Sequence, residues 1–152
     1  MSNSKNKIGF SLNNVTTEQF AIIEEAFNIK NPVELNLGSS FAVDIDKKLI
    51  SNFFKVQFIQ EKTPFLILET GCHFKISPDA WQEFFDKEKN KIKLPQRFAG
   101  HLLMLNIGTS RGVLHAKTDD TVYNQFMLPT INVNRLIDTD VIMDLTEENA
   151  EG

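Results

Sequence analysis

The sequence predicts an α+β fold: an antiparallel sheet of about four strands followed by a long helix packed on one face of it. Three observations carry this expectation. Segments that alternate apolar and polar residues fill the first half and are joined by short polar stretches, as antiparallel neighbours require. The longest stretch with helical spacing comes after them, beyond Leu94-Pro95. The 152 residues, 41% of them apolar, suit one ordinary domain that needs no covalent staple. A single cysteine, Cys72, excludes an internal disulfide and any multi-cysteine metal site.

Ile8, Phe10 and Leu12 alternate with polar residues and read as a strand. Residues 16–27 are open to two readings. Thr16-x-x-Gln19 resembles a helix capping box, with Phe20, Ile23 and Phe27 at helical spacing, whereas Phe20 and Ile22 equally continue a strand. Val33, Leu35 and Leu37, then Phe41, Val43 and Ile45, keep one face of a long half-buried strand past Gly38-Ser39-Ser40. Phe54, Val56 and Phe58 mark the next strand within 52–60. Glu61-Lys62-Thr63 makes a short connection and Pro64 can open a strand, in which Leu66, Leu68, Cys72, Phe74 and Ile76 share a face.

Ser77-Pro78-Asp79 opens a helix by side-chain capping with proline in its first turn, and Trp81, Phe84 and Phe85 supply its apolar face. The charged run 86–91 reads as a solvated helix end and loop. In the long helix Phe98, Leu102 and Leu105 form one stripe, flanked by Leu103, Ile107 and Leu114. Gly108 and Gly112 weaken an isolated helix but allow close packing on a sheet or another helix. Thr118 to Thr121 breaks the pattern, and Leu128-Pro129 to Val133 reads as extended. The domain is expected over 1–140, with 141–152 an acidic, flexible tail.

A net charge of -4 argues against nucleic-acid and polybasic membrane roles. The polar stretch Met1 to Lys7 lacks the apolar core of a signal peptide, and no apolar run reaches the roughly 18 residues of a spanning helix. A soluble, cytoplasmic domain is therefore expected, without membrane insertion. The 13 Phe against one Trp and one Tyr suit a core or an adaptable apolar surface.

Gly108-Thr109-Ser110-Arg111-Gly112 fits the nucleophile-elbow pattern literally. That chemistry requires an acid and then a histidine downstream, and the last histidine, His115, lies only five positions after Ser110. His73, His101 and His115 have no metal-ligand spacing. Neither a P-loop nor a dinucleotide fingerprint is present. Asn14-Val15-Thr16 fits a glycosylation acceptor without a secretory context, and the pairs Asp44/Asp46 and Asp119/Asp120 suit ordinary turns. These residues argue for a protein that is not an enzyme and holds no cofactor.

The element order and several short motifs resemble the bacterial export chaperone SecB family over residues 7–137. They are Phe10-Ser-Leu12, Leu35-Asn36-Leu37 and Phe65-Leu66-Ile67-Leu68-Glu69 with the later Phe74-Lys75-Ile76. The most specific is a helix ending Ser110-Arg111-Gly112, then a loop, then Leu128-Pro129-Thr130-Ile131-Asn132-Val133 before Leu136-Ile137. This chain departs from the family in its proline, one place early, in Val133 where the family has an aromatic, and in a longer loop between Gly112 and Leu128. An acidic tail also stands where the family has an amphipathic C-terminal helix.

The resemblance implies a homotetrameric, ATP-independent holdase that binds unfolded, export-bound polypeptides and passes them to the translocon motor SecA. Apolar burial is non-directional, so one groove can hold many sequences. The groove is expected at Val33, Leu35, Leu37, Leu66 and Leu68 on helix-facing strand surfaces, with Phe126, Leu128 and Ile131 in the loop after the helix. A mobile 118–125 segment would leave this cleft open. The resemblance places the motor contact at Ile67 and Glu69 on the opposite sheet face, where the family's second acidic position falls near Gln19, or at Glu24 if the register slips. It further implies a dimer of dimers sharing the long helix. Three rivals stand beside this reading: a SecB-like chaperone dedicated to an antitoxin, a small hot-dog-like thioester enzyme, and a plain oligomeric adaptor.

Overall fold

The computed structural model describes residues 8–145. Four strands, β1 (Phe10–Ile22), β2 (Glu34–Asp44), β3 (Leu49–Gln60) and β4 (Thr63–Ile76), form an antiparallel sheet in the order β1-β4-β3-β2. Helix α1 (Pro78–Phe84) follows, then short strands β5 (Phe85–Asp86) and β6 (Lys91–Leu94), then the long helix α2 (Gln96–Thr118). A short helix α3 (Val133–Leu136) and strand β7 (Val141–Asp144) complete the described chain. The α+β architecture and the late long helix stand as expected.

Residues 16–27 resolve mainly as strand. Phe20 and Ile22 lie opposite Leu68 and Leu66, and Ser/Thr-type capping is absent because the Thr16 hydroxyl bonds His73 across the sheet. The strand ends in a 3-10 turn at Glu24–Ala26. Strand β3 obeys period two throughout, with Ile50, Asn52, Phe54, Val56, Phe58 and Gln60 buried. Leu66, Leu68, Cys72, Phe74 and Ile76 are likewise buried together in β4. Phe65 joins them because a bulge between Phe58 and Ile59 leaves it as an extra residue, so it too turns into the core. Val33 falls just before β2 and is exposed.

The β3–β4 hairpin turns on Glu61 and Lys62, both at positive φ (48° and 67°). A two-residue turn of this kind asks for left-handed backbone at both positions, which strains residues with a Cβ. Lys62→Gly is expected to stabilise the protein by about 1 kcal/mol, read as a rise in the urea midpoint at unchanged slope.

Helix α2 lies against the central strands β3 and β4. Its buried line runs Phe98, Leu102, Leu103, Asn106, Ile107, Ser110, Leu114 and Thr118, so Leu105 does not belong to the inward stripe expected of it. The centre of that line is polar. Asn106 Nδ2 donates to the Asn52 carbonyl and Oδ1 and to the Thr70 carbonyl (2.9–3.0 Å), and its Oδ1 accepts from the Ser110 hydroxyl at 3.1 Å. Asn52 continues the chain to the Ser39 hydroxyl at 3.0 Å. This buried network fixes the helix in one register over the sheet.

A second sheet, β5-β6-β7, was not visible in the sequence. It corrects the expected tail: Val141–Asp144 pairs with β6, Leu145 is buried, and Asp140 Oδ1 accepts from the Gln96 backbone N–H at 2.8 Å, capping a helix that begins on Pro95 without a side-chain cap of its own. The acidic residues of 146–152 lie outside the described residues.

Candidate functional site: a closed aromatic cleft and an open helix face

Of the residues expected to line a groove, all but Val33 belong to one packed cluster, and they form a closed seam. Leu66 and Leu68 have 0% exposure beneath α2, and Leu128 has 6%. Phe126 packs its ring on Phe65 (5.1 Å), Phe58 (5.6 Å) and Phe27 (5.8 Å), and Tyr123 stacks beside Phe27 at 5.1 Å. Leu35, Leu37 and Ile131 are half-buried against the same core. Leu66, Leu68 and Leu128 are therefore core residues rather than walls of an open cleft.

Local turn chemistry closes the seam. The Thr118 hydroxyl donates to the Leu114 carbonyl and the Thr121 hydroxyl to the Thr118 carbonyl, both at 2.7 Å. Asn124 Nδ2 donates to the His115 carbonyl at 3.1 Å, and the Tyr123 backbone N–H to the Thr121 hydroxyl at 3.2 Å. A 3-10 turn over Val122–Gln125 results, and Phe126 is aimed inward. Beyond it, residues 126–132 run without regular structure, held by Arg111 Nη2 on the Pro129 carbonyl at 2.8 Å. Met127, at 74% exposure, points away from the core.

The opposite sheet face carries the other expected pair. Ile67 lies opposite Ala21 and Gln57, and Glu69 stands between Gln19 and Lys55. The first-strand position facing Glu69 is therefore Gln19, while Glu24 sits in the 3-10 turn. Further along this face, the His73 ring is held between the Ser51 hydroxyl (Nδ1, 2.6 Å) and the Thr16 hydroxyl (Nε2, 2.9 Å). Gly71 makes room for this contact, since a Cβ there would stand 2.6 Å from Thr16 Oγ1. Sequence spacing gave no hint of the cluster, because β1, β3 and β4 each contribute one residue.

Ser110 is buried in mid-helix with its hydroxyl donating to Asn106, so the Gly108–Gly112 pattern sits in continuous helix and not on a strand-to-helix turn. Among the described residues no three His, Cys, Asp or Glu side chains converge, and no helix is long and apolar enough to cross a membrane.

The outward face of α2 carries exposed apolar side chains. Met104 (55%) and Leu105 (40%) are exposed there, and Gly108 and Gly112 follow on the same side. A Cβ added to either glycine meets nothing within 4 Å, so neither serves packing on the sheet. The helix carries no carboxylate. In β1, Leu12 and Val15 lie opposite Phe74 and Cys72 of β4, on the helix side of the sheet, and are exposed too.

Burial pushes the Cys72 thiol above its ordinary 9.0, against a hydrogen bond from Thr109 that lowers it. Burial, then Glu24 and Glu25, push the Tyr123 phenol above its ordinary 10.0. Both groups are neutral when protonated, and both ionise earlier in the unfolded chain. The folded state thus holds protons that the unfolded state has released, and stability falls as pH rises through 9.0 and then 10.0. Urea midpoints measured from pH 8 upward should show this decline, with the Cys72→Ala variant losing its earlier part.

No protein-family model matches the chain, and a search of curated proteins finds no match.

Proposed function

We propose that the chain is an ATP-independent holdase chaperone of the SecB-like kind, assembled as a dimer of dimers and binding unfolded or export-bound polypeptides. The observation that carries this reading is the exposure of Met104 and Leu105 on the outward face of α2 beside Gly108 and Gly112, with Leu12 and Val15 exposed on β1 as well. Glycine in a helix costs about 1 kcal/mol against alanine. Two of them on an outward face make sense where another helix must approach closely. The four-stranded antiparallel sheet with a late long helix is the element order that the resemblance implies.

On this reading clients enter by displacing residues 126–131, whose backbone is tied down chiefly by Arg111. Phe126, Ile131, Leu35 and Leu37 then offer apolar surface, with Val33 and Met127 at its rim. Each large apolar client side chain buried would contribute about 1.5–3 kcal/mol, and several weak sites on one assembly would sum by avidity. Glu69 and Ile67 remain the proposed contact for the motor SecA.

The assembly half of the proposal is tested by the glycines. In a monomer, Gly108→Ala plus Gly112→Ala should stabilise the fold by about 1–2 kcal/mol through helix propensity. In a helix-shared oligomer, Gly108→Leu or Gly112→Leu should break the assembly while the melt of the subunit persists. Light scattering of the unaltered protein at micromolar concentration reads the starting state, and a monomer there contradicts the assembly.

The closed seam at Leu66, Leu68 and Leu128 favours one second reading, an oligomeric adaptor without client promiscuity. An aggregation-suppression assay without ATP separates the two. The holdase lowers the aggregation of a denatured protein, and the adaptor, though oligomeric, does not.

A further inference from the structure

A cleft of about 510 Å³ opens at the end of the sheet where β3 turns into β4. Gln60, the last residue of β3, lines it and is only 3% exposed. Its side chain is committed to the protein. Oε1 accepts from the Asn28 backbone N–H at 2.8 Å, and Nε2 donates to the carbonyls of Asn28 (2.8 Å) and Asn31 (3.1 Å). A buried amide bonded in this way is expensive to displace. It ties the loop 28–31 to the sheet, so the cleft is formed before anything enters it.

Other polar groups around the cleft have bonds to spare. Glu25, Glu61, Asn31 and Thr63 line it, and no hydrogen bond or ion pair from a described residue reaches their side chains. No lysine, arginine or histidine lines it. Lys30 and Lys62, close by in sequence, are exposed and pair with neither carboxylate. Ile23, Ala26 and Phe27 supply an apolar side. The negative field of this end also reaches inward, since burial, then Glu24 and Glu25, hold the Tyr123 phenol above its ordinary 10.0.

Size and donor count select the ligand. A bare calcium ion asks for about six to eight oxygens drawn together, and among the described residues no three His, Cys, Asp or Glu side chains converge. The volume of about 510 Å³ instead suits a small organic molecule, whose sites run to roughly 300–1,000 Å³. Carboxylates beside a free amide and hydroxyl bind an ammonium or guanidinium group by charge-assisted hydrogen bonds. The apolar side then takes the carbon chain that carries it. We infer that this cleft binds a small organic cation, an aliphatic diamine or an amine bearing a guanidinium group, recognised by Glu25 and Glu61. This goes beyond the holdase reading and does not rest on it.

The test uses putrescine and agmatine, titrated separately into the full chain and followed by calorimetry. At low salt each should saturate at one molecule per chain, and binding should weaken as salt is added. Glu25→Gln and Glu61→Gln should each weaken binding about threefold to fivefold, the upper range for an exposed ion pair. Both side chains are exposed, so the melts of these variants should match that of the unaltered protein. Asp46→Asn, in the β2–β3 turn at the far end of the sheet, should leave binding unchanged. No saturable binding of either amine overturns the inference. So does binding that survives both glutamine substitutions, or that Asp46→Asn weakens equally. Equal binding of 1,4-butanediol would remove the role of charge, and displacement of the amines by an equal concentration of calcium would assign the cleft to a metal ion. Aggregation suppression measured without amine reads the holdase proposal separately.

Discussion

Asn106→Ala is expected to lower stability by about 3 kcal/mol, far more than an average substitution. Asn106 has 0% exposure and binds Asn52, Thr70 and Ser110 at once. Truncation removes all of these bonds, leaves the Asn52 side-chain oxygen and the Ser110 hydroxyl short of partners, and opens a small cavity. Ser110→Ala removes one donor and shrinks one side chain, so about 1 kcal/mol is expected there. Urea unfolding of both variants checks the ratio, with an unchanged slope showing that the folded state keeps its compactness. A loss at Asn106 no larger than at Ser110 would mean that the network does not anchor α2.

Leu128→Asp should cost about 4 kcal/mol or unfold the protein, because it puts a carboxylate into the seam that α2 and the sheet close. Its neighbour is the control. Met127 is exposed, so Met127→Asp should move the melt by no more than about 0.5 kcal/mol. The pair also probes function, since a charge at the rim should weaken client binding while the fold survives. Thermal melts and aggregation suppression measured on both variants keep stability and binding apart. Equal melts for the two variants would show that residues 126–131 are not packed as described.

The central strands were legible because the period of β3 is unbroken and that of β4 is interrupted only near its start, at Phe65. Val56 and Phe58 in β3, and Leu66 and Leu68 in β4, declare their faces by alternation alone. β1 was ambiguous for a physical reason: extra residues at Asn13 and Glu18 break the alternation and let 16–27 mimic a helix. Phe65 was placed by a bulge that period two cannot anticipate. On α2 an apolar count misplaced the inward line by drawing Leu105 into it, since the true centre is held by Asn106 and Ser110. β5, β6 and β7 are two to four residues long, too short for any pattern to show.

The candidate site was half legible. Phe126, Leu128 and Ile131 do meet the strands carrying Leu35, Leu37, Leu66 and Leu68. Polar composition made 118–125 look loose, yet the same threonines and asparagine hold the turn through their own hydroxyl and amide bonds. The outward glycines were noted for close packing, and only the structure shows that they face away from the sheet.

The holdase proposal is tested most directly by the aggregation of a chemically denatured protein diluted into buffer without nucleotide, followed by light scattering with and without this chain. Suppression that is complete near one oligomer per client, and unchanged by adding ATP, is the predicted result. Aggregation that proceeds undiminished in a several-fold excess of the folded chain would contradict the account.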